Sequence, residues 1–213
     1  SGTQATAVVA ISGIGTISVK TGKTIENLPN ASDAFDPTNA IHGSQYESKT
    51  TMVSNQREFI EINTTDPAPT VIAKAYVKRN GVVFDKVVVY DTGAGYTSTQ
   101  SITVTHYRKD SGGTWGSVTD NFVAAVDAVG TVSLASQGSN YSDTASLSPS
   151  ITINRSSTST EGEDAICTAS VETDANVLNI TAGIVVVHGG SGYKPGTTAT
   201  IDPPAALATA NLK

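Results

Sequence analysis

The sequence predicts an all-β protein made of repeated three-stranded units packed as one or two β-sandwich-like domains. Three observations lead there. Charged residues make up 15% of the chain, against roughly 25% in an average globular protein, and Thr, Ser, Ala, Val and Gly take their place. β-branched residues suit a pleated strand and Gly suits turns with positive φ, so the mixture favours strands over helices. Short runs such as Phe59-Ile60-Glu61-Ile62 and Ile151-Thr152-Ile153 alternate with the two-residue period of a strand. Finally, a Gly-Ser/Ala-x-Tyr cluster recurs at Gly43–Tyr46, Gly93–Tyr96, Gly138–Tyr141 and Gly190–Tyr193, with tyrosines 50, 45 and 52 residues apart.

The flanks of these clusters repeat as well. A small-residue strand A opens each unit: Ala5-Thr6-Ala7-Val8-Val9, Val71-Ile72-Ala73-Lys74-Ala75, Phe122-Val123-Ala124-Ala125-Val126 and Ala165-Ile166-Cys167-Thr168-Ala169. Tight turns are expected next, at Gly13, Asn80-Gly81, Gly130 and Asn176, with Asn-Gly the strongest hairpin signal. Strand B follows in Val87-Val88-Val89-Tyr90, Thr131-Val132-Ser133-Leu134 and Ile184-Val185-Val186-Val187. The Tyr cluster is then a corner; its third residue is Gln45, Gly95, Asn140 or Gly192, and Gly and Asn enter the left-handed region most easily. An alternating strand C completes each unit. The units are residues 1–66, 67–118, 119–160 and 161–213, the last ending in a further A-like run, Ala205 to Ala210, expected to close a sheet or pair with a neighbouring subunit. A polar insert, residues 20–42, lengthens the first unit; it reads as a long loop with a short helical turn near Ser32 to Phe35, either a contact loop or a tolerated insertion. Three short strands cannot bury both faces, so units must pack on one another or on another chain.

Composition limits the partners. With 213 residues the chain can bury a core without disulfides, and Cys167, the one cysteine, reads as a small buried hydrophobe. The net charge is −6 and the basic residues are scattered, so nucleic acid is not an expected partner. No apolar run reaches the roughly 18 residues of a membrane span and no signal-peptide pattern is present. Ser1 is a residue type that follows removal of an initiator Met, as expected of a cytosolic product.

Chemistry-bearing motifs were tested and set aside. Residues 17–24 resemble a phosphate-binding loop, but the first Gly it requires is Ile17. Asp110-Ser111-Gly112-Gly113 resembles a nucleophile loop, but Lys109 precedes it and neither His42 nor His106 has the context of its base, so it reads as a polar hairpin turn. His42, His106 and His188 lack metal-ligand spacing, and Glu161-Gly162-Glu163-Asp164 lacks the alternation of a calcium loop. No catalytic, cofactor-binding or metal-binding residue is therefore expected, and the chain does not read as an enzyme. The corner residues Gly43, Tyr46, Gly93, Tyr96, Gly138, Tyr141, Gly190 and Tyr193 form a structural turn motif. In it each ring covers its own corner and its hydroxyl satisfies a loop carbonyl; stacking on sugars is the alternative. Tyr107 and Trp115 lie outside the repeat and are the better candidates for a contact surface.

The pattern Ala-Thr-Ala-x-Val, Gly-x-Val/Ile-x-x-Val, Gly-Ser-Gly-Tyr, Thr-x-Thr-Ile resembles a repeat of tailed-phage virion proteins, especially those of T-even-like phages of cyanobacteria. The resemblance is closest at residues 182–203, good at 82–104, fair at 130–153 and weak in the first copy. Only Pro149 and Pro195 approach the Pro that the family places after the corner. The resemblance implies a structural virion protein on the particle surface, as capsid decoration, connector, or fibre or baseplate component. Its partners would be other copies of itself and neighbouring virion proteins. A host-glycan-binding adhesin or fibre module is the alternative.

Overall fold

The computed structural model describes residues 2–26, 58–65, 67–80, 83–109, 115–141, 149–174, 177–179 and 183–204. The protein is all-β, with no helix among the described residues. In chain order the strands are β1 (Thr6–Val19), β2 (Glu58–Thr64), β3 (Lys74–Asn80), β4 (Val83–Asp91), β5 (Ile102–Lys109), β6 (Trp115–Val118), β7 (Phe122–Ser136), β8 (Ile151–Asn154), β9 (Ile166–Ala169), β10 (Glu172–Asp174), β11 (Val177–Asn179), β12 (Ile184–His188) and β13 (Thr198–Ile201). They form small sheets: β1-β7, β3-β4, β12-β9, β10-β11, β13-β8 and the three-stranded β2-β5-β6.

Strands A and B of the second and fourth units pair as the sequence expects. β3 and β4 form an antiparallel hairpin closed at Asn80↔Val83, across the Asn-Gly position. β9 and β12 pair in the same way, with β10-β11 as a second hairpin inserted between them around Asn176. Cys167↔Val186 and Thr168↔Val185 in one hairpin match Ala75↔Val89 and Tyr76↔Val88 in the other, so the two share one register.

The first and third units differ from expectation at their turns. Gly13 and Gly130 do not turn the chain: each lies inside one long strand, β1 of 14 residues and β7 of 15, in which A runs straight into B. The two strands pair with each other instead of folding back. Local sequence could not separate these cases, because a lone Gly flanked by β-branched residues tolerates extended backbone as readily as a turn. Strand C also leaves its own unit. β2 pairs with β5 and β8 with β13, each antiparallel, so a first-unit C strand meets that of the second unit and a third-unit C strand that of the fourth.

The chain divides into two compact units, residues 12–128 and a discontinuous one of residues 1–11 and 129–213. Their boundaries cut β1 and β7 near those glycines, across the first and third sequence segments. In the unit of residues 12–128, Ile14, Ile17, Ile60, Ile62, Val77, Val104 and Phe122 form the core. Residues 20–26 of the insert pack there too: Lys20 N–H donates to the Asn121 carbonyl (2.9 Å) and Ile25 joins the core. The rest of the insert, the helical turn near 32–35, the first corner at Gly43–Tyr46, the 110–113 turn and the final run from Ala205 lie outside the described residues. In the other unit Val129, Val132 and Ile201 are buried, with Ala7, Val9, Ile153, Ile184 and Val186 packed on them. Cys167 is half-buried against this core rather than enclosed, and burial pushes its thiol up.

Candidate functional site

The three described corners share one geometry. Gly93, Gly138 and Gly190 have φ of 61°, 66° and 64°, and the third residues Gly95, Asn140 and Gly192 have φ of 89°, 64° and 78°. Two successive left-handed positions, one residue apart, reverse the chain tightly enough to drop the Tyr ring beneath its own turn. Tyr96, Tyr141 and Tyr193 are 1%, 1% and 0% exposed.

Each corner grips the entry of a strand A. The hydroxyl of Tyr96 accepts the Ala73 N–H at 2.8 Å, that of Tyr141 the Ala5 N–H at 2.9 Å, and that of Tyr193 the Ala165 N–H at 2.8 Å. The sequence suggested that the hydroxyl meets a carbonyl; it instead accepts from an amide. Two residues upstream of that alanine, a backbone carbonyl accepts the N–H of the middle corner residue: Ala94 to Val71, Ser139 to Thr3, Ser191 to Glu163, at 2.9–3.0 Å. The Ser of the motif has its own task. Ser139 Oγ and Ser191 Oγ accept the N–H of Thr3 and Glu163, both at 3.0 Å, and where Ala94 has no hydroxyl its carbonyl accepts the Val71 N–H instead. Every polar backbone group that would otherwise be stranded at the mouth of strand A is thus satisfied by its corner.

The first glycine is required twice over. A Cβ on Gly93, Gly138 or Gly190 would lie 2.4–2.6 Å from the Val71, Thr3 or Glu163 carbonyl oxygen, besides the positive φ. Gly22 supplies the control, with φ of 80° and no heavy atom within 4 Å. Gly22→Ala should therefore cost only the backbone term of about 1–2 kcal/mol, while Gly190→Ala should cost clearly more, read as the difference in urea midpoint at constant slope.

The fourth corner is further reinforced. Arg155 lies over the Tyr193 ring, 4.1 Å from its centroid, and donates to the carbonyls of Thr160, Ser191 and Glu163 at 2.7–3.1 Å. The third corner draws its partner from the opposite end of the chain, since Ala5 and Tyr141 are 136 residues apart.

A second polar arrangement, not singled out by the sequence, lies inside the unit of residues 12–128. Arg79 of β3, wholly buried, donates through Nε to Glu58 Oε2 at 2.6 Å and through Nη2 to Oε1, and its Nη1 reaches the Glu26 carbonyl at 3.0 Å. His106 Nε2 lies 3.0 Å from Glu58 Oε1, and Asn121 Nδ2 lies 3.2 Å from His106 Nδ1. The ring stands edge-on to Phe122, with centroids 5.3 Å apart. Burial pushes the Glu58 carboxyl up, but the hydrogen bonds and charges of Arg79 and His106 outweigh it and hold the group below its ordinary value. A carboxylate beside an imidazole is the pairing of general-base sites. Here both ring nitrogens are engaged and the ring is enclosed, so the arrangement fastens β2, β3 and β5 together and presents no base to a substrate.

The remaining sequence candidates lie apart from this. Tyr107 on β5 donates to Glu61 Oε2 at 2.9 Å, which pushes its hydroxyl up. Trp115 opens β6, paired with Lys109 across the 110–114 turn. His188 accepts the Gly190 N–H through Nδ1 at 3.1 Å, bracing the fourth corner. Among the described residues no group of three His, Cys, Asp or Glu side chains could hold a metal ion.

No protein-family model matches this chain, and no curated protein or solved structure is significantly similar to it. The corner geometry and the sequence resemblance therefore carry the functional reading.

Proposed function

We propose that this chain is a structural virion protein of a tailed phage, assembling on the particle surface through contacts with copies of itself and with neighbouring virion proteins. The observation that carries the reading is the threefold recurrence of one buried clamp, in which Tyr96, Tyr141 and Tyr193 each spend the hydroxyl on a backbone amide. The motif that resembles virion repeats is a scaffold device, and its most distinctive residues are committed to building strands. Enclosed rings cannot stack on sugars, which weighs against an adhesin that uses the corner tyrosines. In this proposal the chain stabilises a particle by burying interface area and performs no reaction.

The test is co-purification. Particles banded by density should contain the chain at a fixed ratio to the major capsid or tail protein, and antibody labelling should decorate one class of site on intact particles. Recovery of the chain only in the particle-free fraction would overturn the reading. Retention on host polysaccharide, lost on substitution of Tyr107 or Trp115, would replace it with the adhesin.

A further inference from the structure

The two matched hairpins provide a comparison inside one chain. Their registers coincide, so β3 residue Lys74 corresponds to Ile166 of β9, and Tyr76 to Thr168; on the partner strands Val88 corresponds to Val185 and Tyr90 to Val187. In both ribbons the other face turns to the core, through Ala75, Val77, Val87 and Val89 in one and Ala169, Cys167, Ile184 and Val186 in the other. The outward faces differ in kind. The β3-β4 ribbon carries Lys74, Tyr76 and Tyr90 there, with the Lys78↔Lys86 pair next along, the usual equipment of a sheet that must stay in water. The β9-β12 ribbon carries Ile166, Val185 and Val187, exposed by 57%, 58% and 62%, and no charged residue at all.

We propose that this outward face, formed by Ile166, Thr168, Val185 and Val187, is where a second copy of the chain docks. The charge pattern selects that occupant. Two identical chains of net charge −6 repel, and a two-fold contact sets each patch against itself, so a charged residue near the axis meets its own like. A flat β-branched face without charge escapes that penalty, and it gains by removing three large apolar side chains from water. A basic partner protein would gain nothing from such a face. The inference deepens the assembly reading above and rests on it.

The experiment is light scattering coupled to size exclusion on the intact chain and on Ile166→Lys/Val187→Lys, with circular dichroism and thermal melting as folding controls. The lysine at 166 is the residue that the equivalent position 74 already carries, so the fold is expected to accept it. The wild type should run at twice 21.8 kDa or more, insensitive to added salt, and the variant at 21.8 kDa with an unchanged melt. Like charges brought together should weaken association roughly a hundredfold or more. If the variant misfolds, Val185→Thr/Val187→Thr retains β propensity and should weaken association in the same direction. A wild-type oligomer untouched by either variant overturns the ribbon as the interface while leaving particle assembly standing. A wild-type monomer at every concentration overturns self-association, leaving particle co-purification to judge the wider reading.

Discussion

Tyr141→Ala should be among the most destabilising single substitutions in the unit formed by residues 1–11 and 129–213. Emptying the space of a fully enclosed aromatic side chain costs roughly 3–5 kcal/mol, and the Ala5 N–H, buried and bonded only to the Tyr141 hydroxyl in the described contacts, loses its acceptor. Tyr141→Phe separates the two effects. It keeps the ring and removes the oxygen, so the expected loss is the desolvation of one stranded amide, about 1–3 kcal/mol. Urea unfolding followed by circular dichroism gives both numbers. Amide hydrogen exchange gives the location: protection at Ala5 should fall in Tyr141→Phe, ahead of any change in the core strands. An unchanged midpoint in Tyr141→Phe would mean that the hydroxyl fastens nothing, and the buried-clamp account of the repeat would fail with it.

What was legible in the sequence was what local chemistry decides. The alternation of Ile60, Ile62 and Val104 with polar neighbours marks strands because one face must be dry, and these residues do line the core. The Gly-x-Gly/Asn-Tyr spacing marks a corner because two residues must have positive φ, and Gly93, Gly95, Gly138, Asn140, Gly190 and Gly192 have it. Asn80-Gly81 marks a hairpin for the same reason, and β3 and β4 meet there. Partner choice was not legible. Thr3 to Ala5 offers the same backbone groups to a corner as Val71 to Ala73 does, and nothing in either stretch says whether the corner comes 23 or 136 residues later. Gly13 illustrates the ambiguity well. It reads as a turn, but its Cβ position is 3.0 Å from the Gly93 carbonyl oxygen and 3.1 Å from that of Thr92. The glycine permits the second corner to approach β1, where Tyr96 N–H donates to the Ser12 carbonyl and Ile14 N–H to the Thr92 carbonyl. A glycine kept for close approach and one kept for a turn look alike in a single sequence.

The buried ion cluster was illegible for a related reason. Glu58, Arg79 and His106 sit on β2, β3 and β5, at positions that alternation assigns to no special role, and only pairing brings them together. Its energetics give the last large effect. Glu58→Ala should cost roughly 3–5 kcal/mol, because Arg79 keeps its charge inside the protein and loses its carboxylate. Replacing Glu58 and Arg79 together by Leu and Met should restore most of that loss, since a desolvated pair often breaks even against apolar residues of similar volume. A double-mutant cycle measured by urea unfolding separates the coupling from the penalty of an orphaned charge. The pH dependence supplies an independent sign. A carboxyl held below its ordinary value in the folded protein stabilises above its unfolded value near 4.5, and that contribution fades as pH falls through the folded value. Stability should therefore drop steeply on the acid side in the wild type and more gently in Glu58→Gln, whose side chain does not titrate. Parallel acid limbs would mean that Glu58 is already neutral in the folded protein, and the cluster would then be a hydrogen-bonded network without an ion pair.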